Sequence, residues 1–303
     1  MTAQAAPQIT PARSWLLASR PATLPAAAVP VLVGLGAALG EGATFKPIIF
    51  AVTLVCALFI QIGTNFSNDY SDFHRGADHE GRLGPTRVTQ SGLISPEEVR
   101  RGIVVAFGIA LLLGLYLAWV GGWPIIAIGI LSILSGLAYT GGPFPFGYYG
   151  LGDVFVFVFF GLVAVTGTAF LQSGRWSGFA LLLSIPIGLL VTNILVVNNL
   201  RDLPTDKLAG KKTLAVRVGD RGTRMQYAMF VALAYITPLS RALAPPMHVW
   251  LLLPWVTLPF AIYLTSKVLS LSGRDLNPIL KRTGQLLLVY GVLLAIGAAL
   301  SAQ

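Results

Sequence analysis

Asn68 to Gln90 reads NDYSDFHRGADHEGRLGPTRVTQ, a hydrophilic island between two long apolar segments. Asp69, Asp72, Asp78 and Glu80 place four carboxylates within thirteen residues, and Arg75, Arg82 and Arg87 stand among them. Elsewhere charge is scarce: the 303 residues are 55% hydrophobic and 11% charged. A mean hydropathy of +0.74 excludes a soluble surface, which takes about a quarter to a third of its positions from Lys, Arg, Asp and Glu. The pattern predicts an all-α, polytopic membrane protein in which the island is a loop between spans.

A bilayer asks for about 20 mostly apolar residues per helical span. Nine stretches meet that demand: 15–39, 47–67, 98–121, 123–141, 152–172, 177–199, 225–242, 248–269 and 284–301. Nine spans put the termini on opposite sides. With the amino terminus cytoplasmic, 18 of the 21 basic residues fall on the cytoplasmic side and only Lys46, Arg175 and Arg241 fall outside, a strong positive-inside asymmetry. The acids follow the bases, all but Glu41 lying on or near the same side. The net charge of +9 is therefore a topology signal, suited in part to anionic lipid headgroups, and calls for no nucleic acid. Cys56 is alone, which excludes a disulfide framework or a cysteine metal site within one chain. The opening residues MTAQAAPQITPAR lack the basic-then-apolar layout of a signal peptide; residues 1–13 are expected to form a disordered arm ahead of a single domain, 14–303.

A second cluster, NNLRDLPTDKLAGKK at Asn198 to Lys212, repeats the chemistry about 130 residues after the first. Asn68 and Asp72 are four apart and share a helix face. Asn198, Asp202 and Asp206 form the same series, and Pro204 is expected to break the helix, leaving Asp206 on a following turn. Oxygen donors of this kind suit a hard cation such as magnesium, which keeps waters and substrate phosphates as its other ligands. No His or Cys cluster competes for a softer metal; His74, His79 and His248 are isolated. Clustered bases beside the acids suggest an anion bridged by metal, with Lys211, Lys212, Arg75 or Arg201 taking the remaining oxygens of a diphosphate.

The loops holding these clusters run to about 25–30 residues, against a few on the other side, and long loops on rigid scaffolds carry function. Ser95, Pro96 and Glu98 form a capping box that should start a helix. Gly81, Gly84 and Gly92 mark turns that would fold the first loop back over the protein as a lid. A further loop, Tyr139 to Gly152, reads YTGGPFPFGYYGLG and ends at Asp153. It has no Lys or Arg; its rings suit either an interfacial belt or stabilisation of a developing cation.

These motifs resemble the UbiA superfamily of intramembrane aromatic prenyltransferases, which have nine transmembrane helices and two Asp-rich motifs on cytoplasmic loops after the second and sixth. The first family motif is matched by Asn68, Asp69, Asp72 and Asp78, the second by Asp202 and Asp206. Where many members carry the last acid of the first motif, this chain has Gly76, and the acid comes at Asp78. With GPTRVTQSGLISPEEV, YTGGPFPFGYYGLGD and NNLRDLPTDKLAGKKTLAVRVG, the chain looks like the branch that prenylates 1,4-dihydroxy-2-naphthoate for menaquinone.

The resemblance implies a central cavity open to the cytoplasm, capped by the Asp-rich loops, in a bacterial inner membrane. It implies Mg2+ at Asn68, Asp69, Asp72, Asp78, Asp202 and Asp206, gripping a polyprenyl diphosphate. Asn68, Asp72, Asp202, Asp206 and Tyr139 would be catalytic, and Arg75, Arg82, Arg201, Lys211, Lys212, Asn198 and Asp153 would bind substrate. The naphthoate would attack an allylic cation at the carbon bearing its carboxylate, losing carbon dioxide. The residues alone leave a cation-coupled transporter open, and within the superfamily another acceptor, such as 4-hydroxybenzoate or homogentisate, or a phytyl donor. Alanine at Asp72 or Asp202 is expected to end turnover and leave the fold intact.

Overall fold

A computed structural model of the chain describes residues 10–76, 83–84, 87–244 and 247–301. Every described element is helical: α1 (Pro11–Ser19), α2 (Pro25–Gly40), α3 (Pro47–His74), α4 (Pro96–Gly121), α5 (Trp123–Ala138), α6 (Gly152–Ser173), α7 (Gly178–Leu208), α8 (Leu214–Leu243), α9 (Val249–Ser270) and α10 (Gly273–Leu300). Six of them, α3, α4, α6, α7, α9 and α10, are long and apolar enough to cross a membrane; α1 with its following turn and α2, bent by 51°, make a seventh. This is a multi-pass membrane protein.

The two remaining expected spans fall on helices of a different kind. α5 is apolar but has 16 residues, about 24 Å of helix against a hydrocarbon core of about 30 Å. α8 is broken at Gly219, where φ is +74°, and is diluted by polar residues that it uses internally. Tyr227 meets the Thr283 hydroxyl at 3.2 Å, and Tyr235 meets that of Thr257 at 2.6 Å.

The first span departs from a single rod because Arg20 adopts a left-handed conformation between α1 and a short turn ending at Thr23. Pro21 and Pro25 then restart the helix at their favoured first positions. Of the expected arm 1–13, residues 1–9 lie outside the described residues; α1 begins at Pro11 because the Thr10 side chain accepts from the Arg13 amide at 3.4 Å.

Pro204 does not break its helix, contrary to the spacing argument. α7 runs through it to Leu208: the lost N–H bond and the crowding of the carbonyl four residues earlier are local costs, and the next turn closes normally, with Ala209 N–H on the Thr205 carbonyl at 2.9 Å. Asp206 therefore shares a rod with Asp202.

The main core gathers α2, α6, α7, α8, α9 and α10 around Val29, Leu183, Leu190, Leu286 and Tyr290. Backbones approach closely where small residues permit: a Cβ at Gly161 would lie 2.6 Å from the Gly188 Cα, so α6 and α7 pack as membrane helices do through glycine. A second cluster packs Trp15, Phe66, Val88, Ile94 and Val99. It ties the end of the Asn68–Gln90 island to α1, α3 and α4 and so brings that loop back onto the bundle.

Candidate active site

The carboxylate-bearing ends of α3 and α7 face one cavity of about 660 Å³. Asn68 and Asp72 on α3, and Asn198, Asp202 and Asp206 on α7, all line it. On the α3 wall, Asp72 accepts from the Tyr148 hydroxyl at 2.5 Å and from Arg87 Nη2 at 2.5 Å. Asn68 Oδ1 accepts from the Thr140 hydroxyl at 2.9 Å. Both bonds on Asp72 go to different oxygens, so each oxygen keeps a lone pair for another ligand.

On the α7 wall, the Arg201 side chain, 1% exposed, grips Asp202 through Nε at 2.8 Å and Nη2 at 2.6 Å. It also donates to Asn198 Oδ1 at 2.7 Å and Asn277 Oδ1 at 3.0 Å. Asn277 in turn donates to the Leu83 carbonyl of the island at 3.0 Å. Lys211 lies 3.4 Å from Asp206 and 4.6 Å above the Tyr148 ring. The loop from Tyr139, drawn back when Gly147 N–H donates to the Tyr139 carbonyl at 2.9 Å, thus links both walls through Tyr148.

From Asp72 the lining continues along α3 to Gln61, and from Asp202 along α7 to Val191. Each is eleven residues, or about 16 Å of helix. Val156, Phe160, Val191, Ile194 and Leu195 make the deep part apolar. Ionic groups at one end and an oily recess below suit an amphipathic ligand with a charged head.

Several residues expected at the site are elsewhere. Asp69 is buried behind the wall, accepting from the Thr89 amide at 3.2 Å and hydroxyl at 2.9 Å, because it lies one position round the helix from Asp72's face. It stands 3.8 Å from Arg87 Nε and so backs that guanidinium. Arg75 and Lys212 are exposed and outside the lining. Arg75 donates to the Gly142 carbonyl, while the Lys212 backbone N–H donates to the Tyr148 carbonyl at 2.7 Å. Arg201 lines the cavity, yet its donors are largely committed to Asp202, Asn198 and Asn277, so it holds the wall. Asp153 is buried outside the lining, with Oδ1 unpartnered among the described residues. Tyr139 does line the cavity. Asp78 and Arg82 lie outside the described residues.

Sequence reasoning passed over Arg20, Arg87, Thr140 and Tyr148, all in the lining. Arg87 carried a signal, being the one arginine of the island placed beyond its glycine turns, where a returning chain would meet α3. Arg20 carried none in the sequence; it is the one non-glycine described residue with positive φ, at 51°. Such a backbone persists where surrounding contacts demand it, often at ligand sites. Replacing Tyr148 with phenylalanine keeps the ring beneath Lys211 and removes the donor to Asp72. Loss of one hydrogen bond to a charged partner should lower kcat/KM about tenfold or more with little change in unfolding temperature, read by steady-state kinetics and thermal unfolding.

Comparison with known proteins agrees with this architecture. The model of the UbiA prenyltransferase family matches residues 27–287. The 1,4-dihydroxy-2-naphthoate octaprenyltransferase of Mycobacterium tuberculosis is 40% identical over 290 residues, 95% of this chain and 96% of that one. The protein of the same name from Escherichia coli is 33% identical over 97% of each. Among solved structures, a UbiA homolog from Archaeoglobus fulgidus bound to DMAPP and Mg2+ superposes with a TM-score of 0.64 at 17% identity, covering 93% of this chain and 99% of that one. The helical bundle, the paired carboxylate clusters and the near full-length identity lead to one assignment: this chain belongs to the UbiA prenyltransferase family.

Proposed function

We propose that this protein transfers a polyprenyl group from a polyprenyl diphosphate to 1,4-dihydroxy-2-naphthoate, releasing diphosphate and carbon dioxide and giving a demethylmenaquinol. The observation that carries the reading is the single cavity joining two carboxylate walls to an apolar recess about 16 Å deep, in a chain with near full-length relatives of that name.

The donor set fits magnesium. Among the described residues no three acidic, His or Cys side chains converge closely enough to hold an ion unaided. That suits a cation bound through one or two carboxylates with phosphate oxygens completing its shell. Each wall would offer a cation one or two carboxylates, Asp72 beside Asn68 on one and Asp202 and Asp206 on the other, with Asp78 as a further candidate. Bound there, magnesium would neutralise the diphosphate and favour its departure.

Arg20, Arg87 and Lys211 offer charged donors to the phosphate oxygens not taken by metal. Tyr139, in the lining beside the start of α6, would set its ring face beside the allylic carbon, shielding it from water and attracting its developing charge. The allylic C–O bond breaks and its electron pair leaves with diphosphate. A C–C bond then forms at the ring carbon bearing the carboxylate; the phenolic proton lost on attack is regained as carbon dioxide leaves, so the ring becomes aromatic again. The tail runs along Val156, Val191 and Ile194.

The positive-inside asymmetry supports a site on the cytoplasmic side of a bacterial plasma membrane, with the short α5 and the polar-diluted α8 completing nine spans. A competition assay on purified protein, offering 1,4-dihydroxy-2-naphthoate, 4-hydroxybenzoate and homogentisate with one polyprenyl diphosphate, tests the acceptor. Prenylnaphthoquinol should dominate; a preference for either one-ring acid rejects the assignment. A parallel assay with phytyl diphosphate tests the donor.

Arg20→Gly separates backbone from charge. Glycine accepts the left-handed conformation without strain, so stability should hold or rise. The apparent KM for the diphosphate donor should increase about tenfold as one charged contact is lost. Unchanged kinetics would remove Arg20 from the diphosphate site.

A further inference from the structure

At the opposite end of the bundle a second cavity of about 300 Å³ lies among Glu41, Arg175, Phe179, Arg241, His248 and Ser301. The placement follows from chain direction. α2, α6, α8 and α10 run away from the carboxylate cavity and end at Gly40, Ser173, Leu243 and Leu300, while α7 and α9 begin there. Two of the three bases that the topology leaves on this side, and its one acid, therefore converge on a single pocket.

Part of that convergence is structural. Arg175 donates to the Glu41 carbonyl at the end of α2, at 2.9 Å, and cations suit helix carboxyl termini. Two atoms remain outside this account. The His248 side chain belongs to a residue only 8% exposed, tilted beside Phe179 with ring centres 6.3 Å apart. Its Nε2 and the Glu41 Oε2 are buried, and neither has a hydrogen-bond partner among the described residues. Buried polar atoms in native proteins find partners, and both of these belong to residues lining the same cavity, one able to donate and one able only to accept.

The depth of the pocket points to the class of ligand. Phe45, Trp119, Trp123, Trp176 and Trp250 are exposed at this end, two of them adjacent to Arg175 and next but one to His248. Such a belt of aromatic side chains marks the level of lipid headgroups. We propose that the cavity binds a phospholipid headgroup carrying both a phosphate and a primary ammonium, the phosphate on Arg175, Arg241 and His248 Nε2, the ammonium on Glu41. The lining carries two guanidiniums and one carboxylate, which matches a zwitterion with a doubly contacted phosphate better than a purely anionic head. A lipid held there would tie the ends of α2, α8 and α10 together and stabilise the bundle.

Full-length protein in detergent, titrated with phosphatidylethanolamine and followed by native mass spectrometry and thermal unfolding, tests this. One tightly bound lipid and a raised unfolding temperature are expected. Glu41→Gln and Arg175→Gln should each weaken binding about tenfold, with the lipid-free unfolding temperature close to that of the parent. If the arginine variant does not fold, His248→Gln replaces it, with the same expectation. Phosphatidylcholine, with no N–H to donate, should bind more weakly. Equal affinity for phosphatidylcholine or phosphatidylglycerol, or no effect of Glu41→Gln, overturns the ammonium assignment. Inorganic phosphate matching the lipid's stabilisation overturns the lipid reading in favour of a small-anion site, and parent-like binding in both variants overturns the site.

Discussion

Asp72→Ala should abolish prenyl transfer, lowering magnesium-dependent turnover by about 10³-fold or more, while the protein remains folded. The side chain takes two 2.5 Å bonds, from Arg87 and Tyr148, and stands at the mouth of the recess where a diphosphate would meet its cation. Without it, Arg87 keeps Asp69 at 3.8 Å, so no buried guanidinium is stranded. Asp72→Asn is the sharper variant, since the amide oxygen can still accept from Arg87 and its NH2 can donate to the Tyr148 hydroxyl oxygen, while the side chain carries no charge for a metal. Turnover of radiolabelled donor in membranes, together with thermal unfolding of the purified variants, reads both effects. Near-parental activity in the asparagine variant would contradict a metal role for Asp72.

Asp202→Ala should behave differently, losing both activity and stability. Sequence reasoning expected its fold to survive, but Asp202 takes two of the Arg201 donors, and that side chain is 1% exposed. Removing one member of a buried pair costs about 3–5 kcal/mol because the other charge is left uncompensated. Asn198 and Asn277 still accept from Arg201, which favours the lower end. Asp202→Asn keeps one of the two acceptors for Arg201 but none of the charge, so it should lose less than alanine, about 2 kcal/mol, while turnover still fails. Denaturant unfolding in detergent distinguishes the two substitutions; equal stability of Asp202→Ala and the parent would show that the pair is not structural.

Much of this was legible in the residues. The i, i+4 spacing of Asn68 with Asp72 and of Asn198, Asp202 and Asp206 placed each set on one helix face, and all five line one cavity. The capping box at Ser95 is present as read, with the Glu98 amide on Ser95 Oγ at 3.3 Å. The periodicity set only Asn68 and Asp72 on that face; the family motif added Asp69, whose side chain, one residue of rotation from Asn68, turns from the cavity to the Thr89 loop. Pro204 misled because propensity weighs a local cost against nothing, whereas the turn after it is closed by its own backbone bonds.

Hydropathy, charge asymmetry and motif spacing are properties of neighbours in sequence, and they set the helical membrane class, the end of the bundle that holds the charge and the two carboxylate walls. The partners of those carboxylates come from far along the chain. Arg87 reaches Asp72 across 15 residues, Tyr148 across 76, and Asn277 reaches the island across 194. The far-end pocket likewise joins Glu41, Arg175, Arg241 and His248 from three separate connections, after α2, between α6 and α7, and around the junction of α8 with α9. No local pattern encodes such meetings. They arise when helices pack at fixed angles and distances, and packing alone selected which of 21 bases face a ligand and which hold the walls.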